Sequence, residues 1–249
     1  MLLDGKTAIV TGCASRKGIG WATARLFAQH GARVALIDLR EEDARAAAAA
    51  IGDAHRGYAC DVRDAGRCEQ VVKDIVETFG AVDILVNNAG VSQANRLMDS
   101  SMDDYDLVLD VSLRGTFNMS RAMTPHFRGR RSGTIVCMGS LAAQRGGGVL
   151  GGPHYAAAKG AVQALAKSMA RELAPDGIRA NAIAPGLIDT DLLIGKITDE
   201  GKASVAASTP LGRLGTAQDV ANVCLFLASD LSAYVTGVVL DVNGGYHIH

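Results

Sequence analysis

Thr7-Ala8-Ile9-Val10-Thr11-Gly12-Cys13-Ala14-Ser15-Arg16-Lys17-Gly18-Ile19-Gly20 is the stretch that decides the fold. Five residues rich in β-branched side chains run into a glycine-rich turn, and Trp21–Gln29 beyond it has helical character. Strand, glycine turn and helix in that order make half of a βαβ unit. The rhythm continues outward: Arg33–Asp38, Val82–Asn87, Thr134–Met138 and Val235–Asp241 read as strands, with weaker ones at Gly57–Cys60 and Ile178–Ile183. Their nearly continuous apolar runs suit a parallel sheet covered on both faces. Helical stretches alternate with them at Glu41–Ile51, Gly66–Phe79, Asp103–Phe127, Tyr155–Leu173 and Ala217–Ala228. This order predicts an α/β fold, a doubly wound parallel sheet with helices on both faces.

The chain has 249 residues, 48% of them hydrophobic and 20% charged, enough for a large core. No repeat, charge block or Pro/Ser-rich linker interrupts it, so residues 1–249 are expected to form a single domain. Its 25 basic and 26 acidic side chains leave a net charge of -1 with 4% aromatics, which argues against a nucleic-acid partner. Cys13, Cys60, Cys68, Cys137 and Cys224 are odd in number, scattered and without a Cys-x-x-Cys pair, so neither a disulfide framework nor a zinc cluster is expected. His247 and His249, the only close histidine pair, read as an exposed tail rather than a metal site. The charged start Met1-Leu2-Leu3-Asp4-Gly5-Lys6 and the lack of an apolar run of about 18 residues predict a cytoplasmic protein without membrane contact. Between Pro185 and Pro210 glycines and polar residues gather, and residues of about 187–213 are expected to cover a ligand crevice as a lid.

The turn itself carries chemistry. Glycine allows a pyrophosphate to approach the backbone, and free N–H groups at the start of the following helix favour an anion. Asp38 ends the second strand, 18 residues beyond Gly20. A carboxylate there can accept both hydroxyls of an adenosine ribose and repels a 2′-phosphate, which favours NAD over NADP. Arg16 and Lys17 pull the other way, being able to greet that phosphate.

Tyr155 and Lys159 open a helix four residues apart, so their side chains share a face. A free tyrosine titrates near about 10 and is a poor base at neutral pH, but a neighbouring ammonium stabilises the phenolate. Ser140, 15 residues before Tyr155, adds a hydroxyl at the carboxyl end of a strand.

Taken in order, the glycine turn ending Gly18-Ile19-Gly20, Asp61-Val62, Asn87-Asn88-Ala89-Gly90, Ser140, Tyr155-x-x-x-Lys159, Asn181 and Pro185-Gly186 resemble the classical short-chain dehydrogenases/reductases over the whole chain. The resemblance implies a Rossmann-type, seven-stranded parallel sheet and hydride transfer, without metal, between NAD(H) and an alcohol/carbonyl pair. It implies that Tyr155 is the acid/base, that Ser140 holds the substrate oxygen, and that Lys159 binds the nicotinamide ribose and lowers the tyrosine pKa. Gly12, Ser15, Lys17, Gly18 and Ile19 would cradle the pyrophosphate, with Asp38 at the ribose and Asp61 and Val62 flanking the adenine. Asn88, Ala89 and Gly90 would line the cofactor, while Pro185, Gly186, Ile188 and Thr190 would meet the carboxamide. A homotetramer is implied too, through helix pairing across a two-fold axis and the Val238–Tyr246 segment.

The chain departs from the family pattern in three places. Gly12 and Gly18 enclose five residues where three are usual, the Ser140-to-Tyr155 segment is about two residues longer, and Ser112-Leu113-Arg114-Gly115 stands where an Asn-Leu-x-Gly pattern is common. Ser112 is expected to serve in the proton relay through an extra water. Ser92, Gln144, Arg145, His154 and Leu187 are candidate substrate contacts, and their polar character favours a small polyol, sugar-derived or hydroxy-acid substrate. The alternatives are an NADPH-dependent 3-oxoacyl-(acyl-carrier-protein) reductase, with Arg130 and Arg131 docking an acidic carrier and Asp176 opposing it, and a catalytically inactive dinucleotide sensor.

Overall fold

The computed structural model describes residues 1–148 and 151–248. Seven parallel strands form the main sheet: β1 (Thr7–Thr11), β2 (Arg33–Asp38), β3 (Arg56–Ala59), β4 (Ile84–Asn87), β5 (Gly133–Met138), β6 (Ile178–Pro185) and β7 (Val239–Val242). Their spatial order is β3-β2-β1-β4-β5-β6-β7. The order reverses between β1 and β4, and in open α/β sheets such a switch point opens a crevice beyond the strand carboxyl ends.

Successive strand residues point to opposite faces, and both faces here are covered. Ala8 and Val10 of β1 pack with Leu36 and Val86 under α1 (Ile19–Gln29) and α9 (Ala217–Ala228), where Phe27, Cys224 and Leu227 are buried. Ile9 faces the other way with Ile37, Leu85 and Ile135. That layer is closed by α3 (Ala65–Phe79), α5 (Gly115–Arg130) and α7 (Pro153–Leu173), through Ile75, Met123, Phe127 and Val162. Each such fully buried aliphatic or aromatic side chain stabilises by about 1.5–3 kcal/mol, so the strands that present the crevice residues rest on a rigid base. The remaining helices are α2 (Glu41–Ala49), α4 (Met102–Leu109), the four-residue α6 (Ala142–Arg145) and α8 (Asp199–Ser208). All five cysteines are free and buried. Among the described residues, no helix is long and apolar enough to cross a membrane.

Three expectations change. The helix read as Asp103–Phe127 is interrupted by a π turn at Asp110–Arg114. The last strand begins at Val239 rather than Val235, because Gly237 sits at φ 76°, outside the extended region, with its N–H donating to the Ala180 carbonyl. The 187–213 segment holds more regular structure than its composition suggested: α8, and a two-residue strand Ile188–Asp189 paired in parallel with Gly215–Thr216 at its base.

Candidate active site

A cleft of about 620 Å³ opens beyond the carboxyl ends of β1, β4, β5 and β6. One wall is the glycine turn, contributing Gly12, Ser15, Gly18 and Ile19; the floor carries Asn88, Gly90, Ser140, Tyr155 and Lys159. The opposite wall is Pro185 to Ile188 with Thr190, Asp191 and Leu192.

The turn is held from below by the switch point. Thr11 Oγ1 accepts the Asn88 and Ala89 amides at 3.0 and 2.9 Å, while Asn88 Nδ2 donates to the Thr11 and Gly12 carbonyls at 2.9 and 3.0 Å. A Cβ at Gly20 would sit 2.2 Å from the Gly12 carbonyl oxygen, so only glycine lets α1 start this close to the turn. The five residues between Gly12 and Gly18 are accommodated by a tight turn in which the Gly18 amide donates to the Ser15 carbonyl at 2.9 Å. Gly18 caps α1 without a side-chain bond, leaving the helix start open to an anion. Asp38 accepts the Ala14 amide at 2.7 Å and the Leu39 amide at 2.8 Å, which ties the end of β2 to the turn. Arg16 is drawn onto the Trp21 ring, 5.6 Å from its centroid, and Lys17 is exposed outside the cleft lining.

Tyr155 and Lys159 leave α7 on the cleft side, with Lys159 Nζ 5.8 Å from the tyrosine ring centroid. Burial pushes the Tyr155 phenol above its ordinary value, and a hydrogen bond with Ser140 pulls it back. The downward pull on Tyr155 comes from Ser140. Lys159 Nζ donates to the Met138 carbonyl at 2.7 Å, and burial lowers its pKa to about 8. The π turn widens the helix at Ser112 and sets that residue fully inside the protein. Its hydroxyl has no hydrogen-bond partner among the described residues. A Cβ built on Gly90 would meet Lys159 Nζ at 3.2 Å and Ser112 Oγ at 3.6 Å, so both groups converge on this bare backbone.

The other candidates divide. Ser92, Arg145 and Leu187 line the cleft. Gln144 instead donates to Asp241 at 2.8 Å, and His154 is buried between Gln93 and Ser100, at 3.2 and 3.4 Å, where it braces the loop after β4. Asp61 is held by Arg63, which keeps its carboxyl below the usual range. Val62 is buried, with its carbonyl accepting Asn118 Nδ2 at 2.9 Å. No local motif marks Asn118, whose contact lies 56 residues away. Asn181 ties β6 to the chain entering β7, accepting the Val238 amide at 3.2 Å. The 187–213 segment reaches across the cleft: Asp191 accepts Ser15 Oγ at 2.7 Å, and Lys196 Nζ donates to the Ser92 carbonyl at 2.8 Å. Arg130, Arg131 and Asp176 stand at the amino ends of β5 and β6, a strand length of about 20 Å from the cleft. There Arg130 bonds Asp83, Arg131 the Pro175 carbonyl and Asp176 Arg128, so these charges neither attract nor repel a carrier at the cleft mouth.

A serine, a tyrosine and a lysine thus meet on the floor of a switch-point crevice walled by a glycine turn, the place where open α/β sheets bind their ligands. Residues 12–247 match a family model described as enoyl-(acyl carrier protein) reductase. The chain is 51% identical to the uncharacterized short-chain type dehydrogenase/reductase y4mP of Sinorhizobium fredii, over the full length of both. It is 40% identical to the 3-oxoacyl-(acyl-carrier-protein) reductase FabG of Escherichia coli, again over both full lengths. It superimposes on the crystal structure of a 3-ketoacyl-(acyl-carrier-protein) reductase from Brucella melitensis complexed with NADH, with a TM-score of 0.90, 34% identity, and 99% and 100% of the two chains covered. The chain belongs to the short-chain dehydrogenase/reductase family and is an oxidoreductase of that type.

Proposed function

We propose that the protein is an NAD-dependent dehydrogenase of a small hydroxylated substrate, a polyol, sugar derivative or hydroxy acid, interconverting a secondary alcohol and its ketone. The observation that carries this reading is the convergence of Ser140, Tyr155 and Lys159 on one cleft floor beside an uncapped helix start. The residues present fit a dinucleotide: Gly12, Ser15 and Gly18, with Ile19 beside them, offer a wall of small residues to a pyrophosphate, and Asp38 stands at the end of β2 for the ribose. Asp61 and Val62 would flank the adenine, Asn88 to Gly90 the ribose and sheet edge, and Pro185, Gly186, Ile188 and Thr190 the carboxamide. When bound, the nicotinamide supplies the hydride acceptor. Tyr155 Oη takes the proton from the substrate hydroxyl, and Ser140 Oγ holds the same oxygen. The 187–213 segment acts as a lid and keeps water from the floor. Ser112 Oγ, buried without a hydrogen-bond partner among the described residues, supports a water-bridged relay beside Lys159. Ser112→Ala is expected to keep the fold and lower kcat severalfold, with a loss that varies across pH. Equal activity at every pH would remove this hydroxyl from the proton path.

The NAD preference rests on Asp38 and on the withdrawal of Arg16 onto Trp21. A 2′-phosphate beside Asp38 meets like-charge repulsion. The ratio of kcat/KM for NADH over NADPH is expected to exceed about tenfold, and Asp38→Ser to erase most of that preference, since roughly 1.4 kcal/mol corresponds to a factor of ten. A clear NADPH preference in the unaltered protein would overturn the assignment.

The carrier-protein reductase reading is favoured by the likeness to FabG and to the Brucella enzyme, both named for that activity. A direct comparison decides: brisk NADPH-driven reduction of an acetoacetyl thioester, with no oxidation of short hydroxylated molecules by NAD, would select it. A homotetramer is also part of the proposal. Ala157 and Ala164 are exposed on α7, and Tyr234 and Val238 lie exposed near the C-terminal strand, surfaces suited to close subunit contact.

A further inference from the structure

Arg145 closes α6, the short helix that begins two residues past Ser140. Its guanidinium carbon lies 4.4 Å from the ring centroid of Tyr246, which arrives from the far end of the chain. Both side chains line the same cleft as Ser140 and Tyr155. A planar guanidinium stacked on a ring keeps its N–H edge free for a carboxylate, and the ring restricts the rotamers that an exposed arginine otherwise samples.

The surrounding charges leave that edge available. Among the described residues, Arg145 meets no carboxylate, whereas Arg40, Arg45, Arg63, Arg114, Arg128 and Arg213 are all engaged in ion pairs. The acid that lines this cleft, Asp191, accepts a hydrogen bond from Ser15 on the opposite wall. A cation is thus stacked in place at one end of a cleft whose other groups handle a hydroxyl and its proton.

We infer that Arg145, held by Tyr246, anchors the carboxylate of the substrate, which makes the substrate a short hydroxy acid rather than a neutral polyol. The inference rests on the dehydrogenase reading above and narrows it. Five residue steps of near-helical chain lead from Ser140 to Arg145, a rise of about 7 Å along the axis. A substrate whose carbinol oxygen sits on Ser140 can carry a carboxylate to Arg145 without leaving the cleft that both residues line. A bidentate, charge-assisted pair of this kind is the interaction that arginine makes best.

The test compares the unaltered protein with Arg145→Met, Arg145→Lys and Tyr246→Leu in two measurements. In the first, NAD-driven oxidation of 3-hydroxybutanoate is set against that of its methyl ester. Arg145→Met is expected to lower the acid-to-ester ratio of kcat/KM about ten- to hundredfold, chiefly through the KM of the acid, with Arg145→Lys recovering part and Tyr246→Leu intermediate. In the second, calorimetry follows malonate binding to the protein with NAD present, and Arg145→Met is expected to weaken it at least tenfold. Equal malonate affinity in both proteins, absence of malonate binding to the unaltered protein, or parallel losses for acid and ester would overturn the inference. Oxidation of neutral alcohols alone would leave the dehydrogenase reading standing without it. Weakened malonate binding in a protein that oxidises neither acid nor ester would sink that reading and keep the anion site.

Discussion

Tyr155→Phe is expected to lower kcat by about 10²–10⁴-fold while leaving the affinity for nicotinamide cofactor within a few-fold of the unaltered protein. The substitution removes one oxygen and keeps the ring that packs on the cleft floor. What disappears is the oxygen that Ser140 bonds and that, in the proposed reaction, exchanges a proton with the substrate. Direction matters in the pH profile. Burial raises the Tyr155 pKa above its ordinary value, so the phenol stays protonated at neutral pH. Oxidation needs the phenolate and should accelerate as pH rises, whereas reduction needs the phenol and should hold its rate at neutral pH and below. The residual activity of Tyr155→Phe should lose that alkaline rise. Steady-state rates in both directions from pH 6 to beyond about 10, where an ordinary tyrosine titrates, measure it. A variant that keeps both rate and profile would show that the proton travels another way.

Lys159→Met should produce the second large effect, and it has two opposed parts. Activity is expected to fall by about 10²-fold or more, because the cation at the cleft floor is lost. Stability at neutral pH is expected to rise. Unfolded, the lysine titrates near 10.5; folded, burial lowers it to about 8. Between these values the unfolded chain carries a proton that the folded chain has released, so stability increases with pH across the window and is lost as pH falls through 8. At pH 7 the charged, buried lysine costs about 3 kcal/mol relative to a neutral one. Removing it also strands the Met138 carbonyl, now bonded at 2.7 Å, which costs about 1 kcal/mol. The net gain of about 2 kcal/mol corresponds to a Tm higher by about 5 °C, shrinking toward pH 10. Thermal unfolding at pH 7 and pH 10 checks this. A variant less stable than the unaltered protein at pH 7 would mean that the ammonium is better solvated than its burial implies.

Much of this was legible in the chain. The apolar runs at Thr7–Thr11 and Arg33–Asp38 are strands with those bounds, since two covered faces demand such runs and few other contexts do. The glycine turn and the Tyr155/Lys159 spacing were legible because each is a local geometric requirement, one of close approach and one of helical periodicity. Other features escaped because their causes are not local. The π turn at Asp110–Arg114 leaves no mark in composition; it places Ser112 inward against Lys159 and Gly90, elements far apart in the chain. Gln144 and His154 are candidate substrate contacts by family position, yet Asp241 and Gln93 claim them. Tyr246 stood out in no motif, and its meaning appears only when the C-terminal segment folds back over α6.

The central claim, that Tyr155 accepts the proton of an alcohol as its hydride leaves, is tested most directly by mixing the protein with NAD and a panel of short hydroxy acids and neutral secondary alcohols. Reduced-nicotinamide absorbance and proton release are followed together. The account predicts that at least one hydroxy acid yields reduced cofactor, with one proton released per turnover, and that Tyr155→Phe reduces both signals by orders of magnitude. Reduced cofactor forming at an undiminished rate in that variant, or not forming with any alcohol in the unaltered protein, would contradict it.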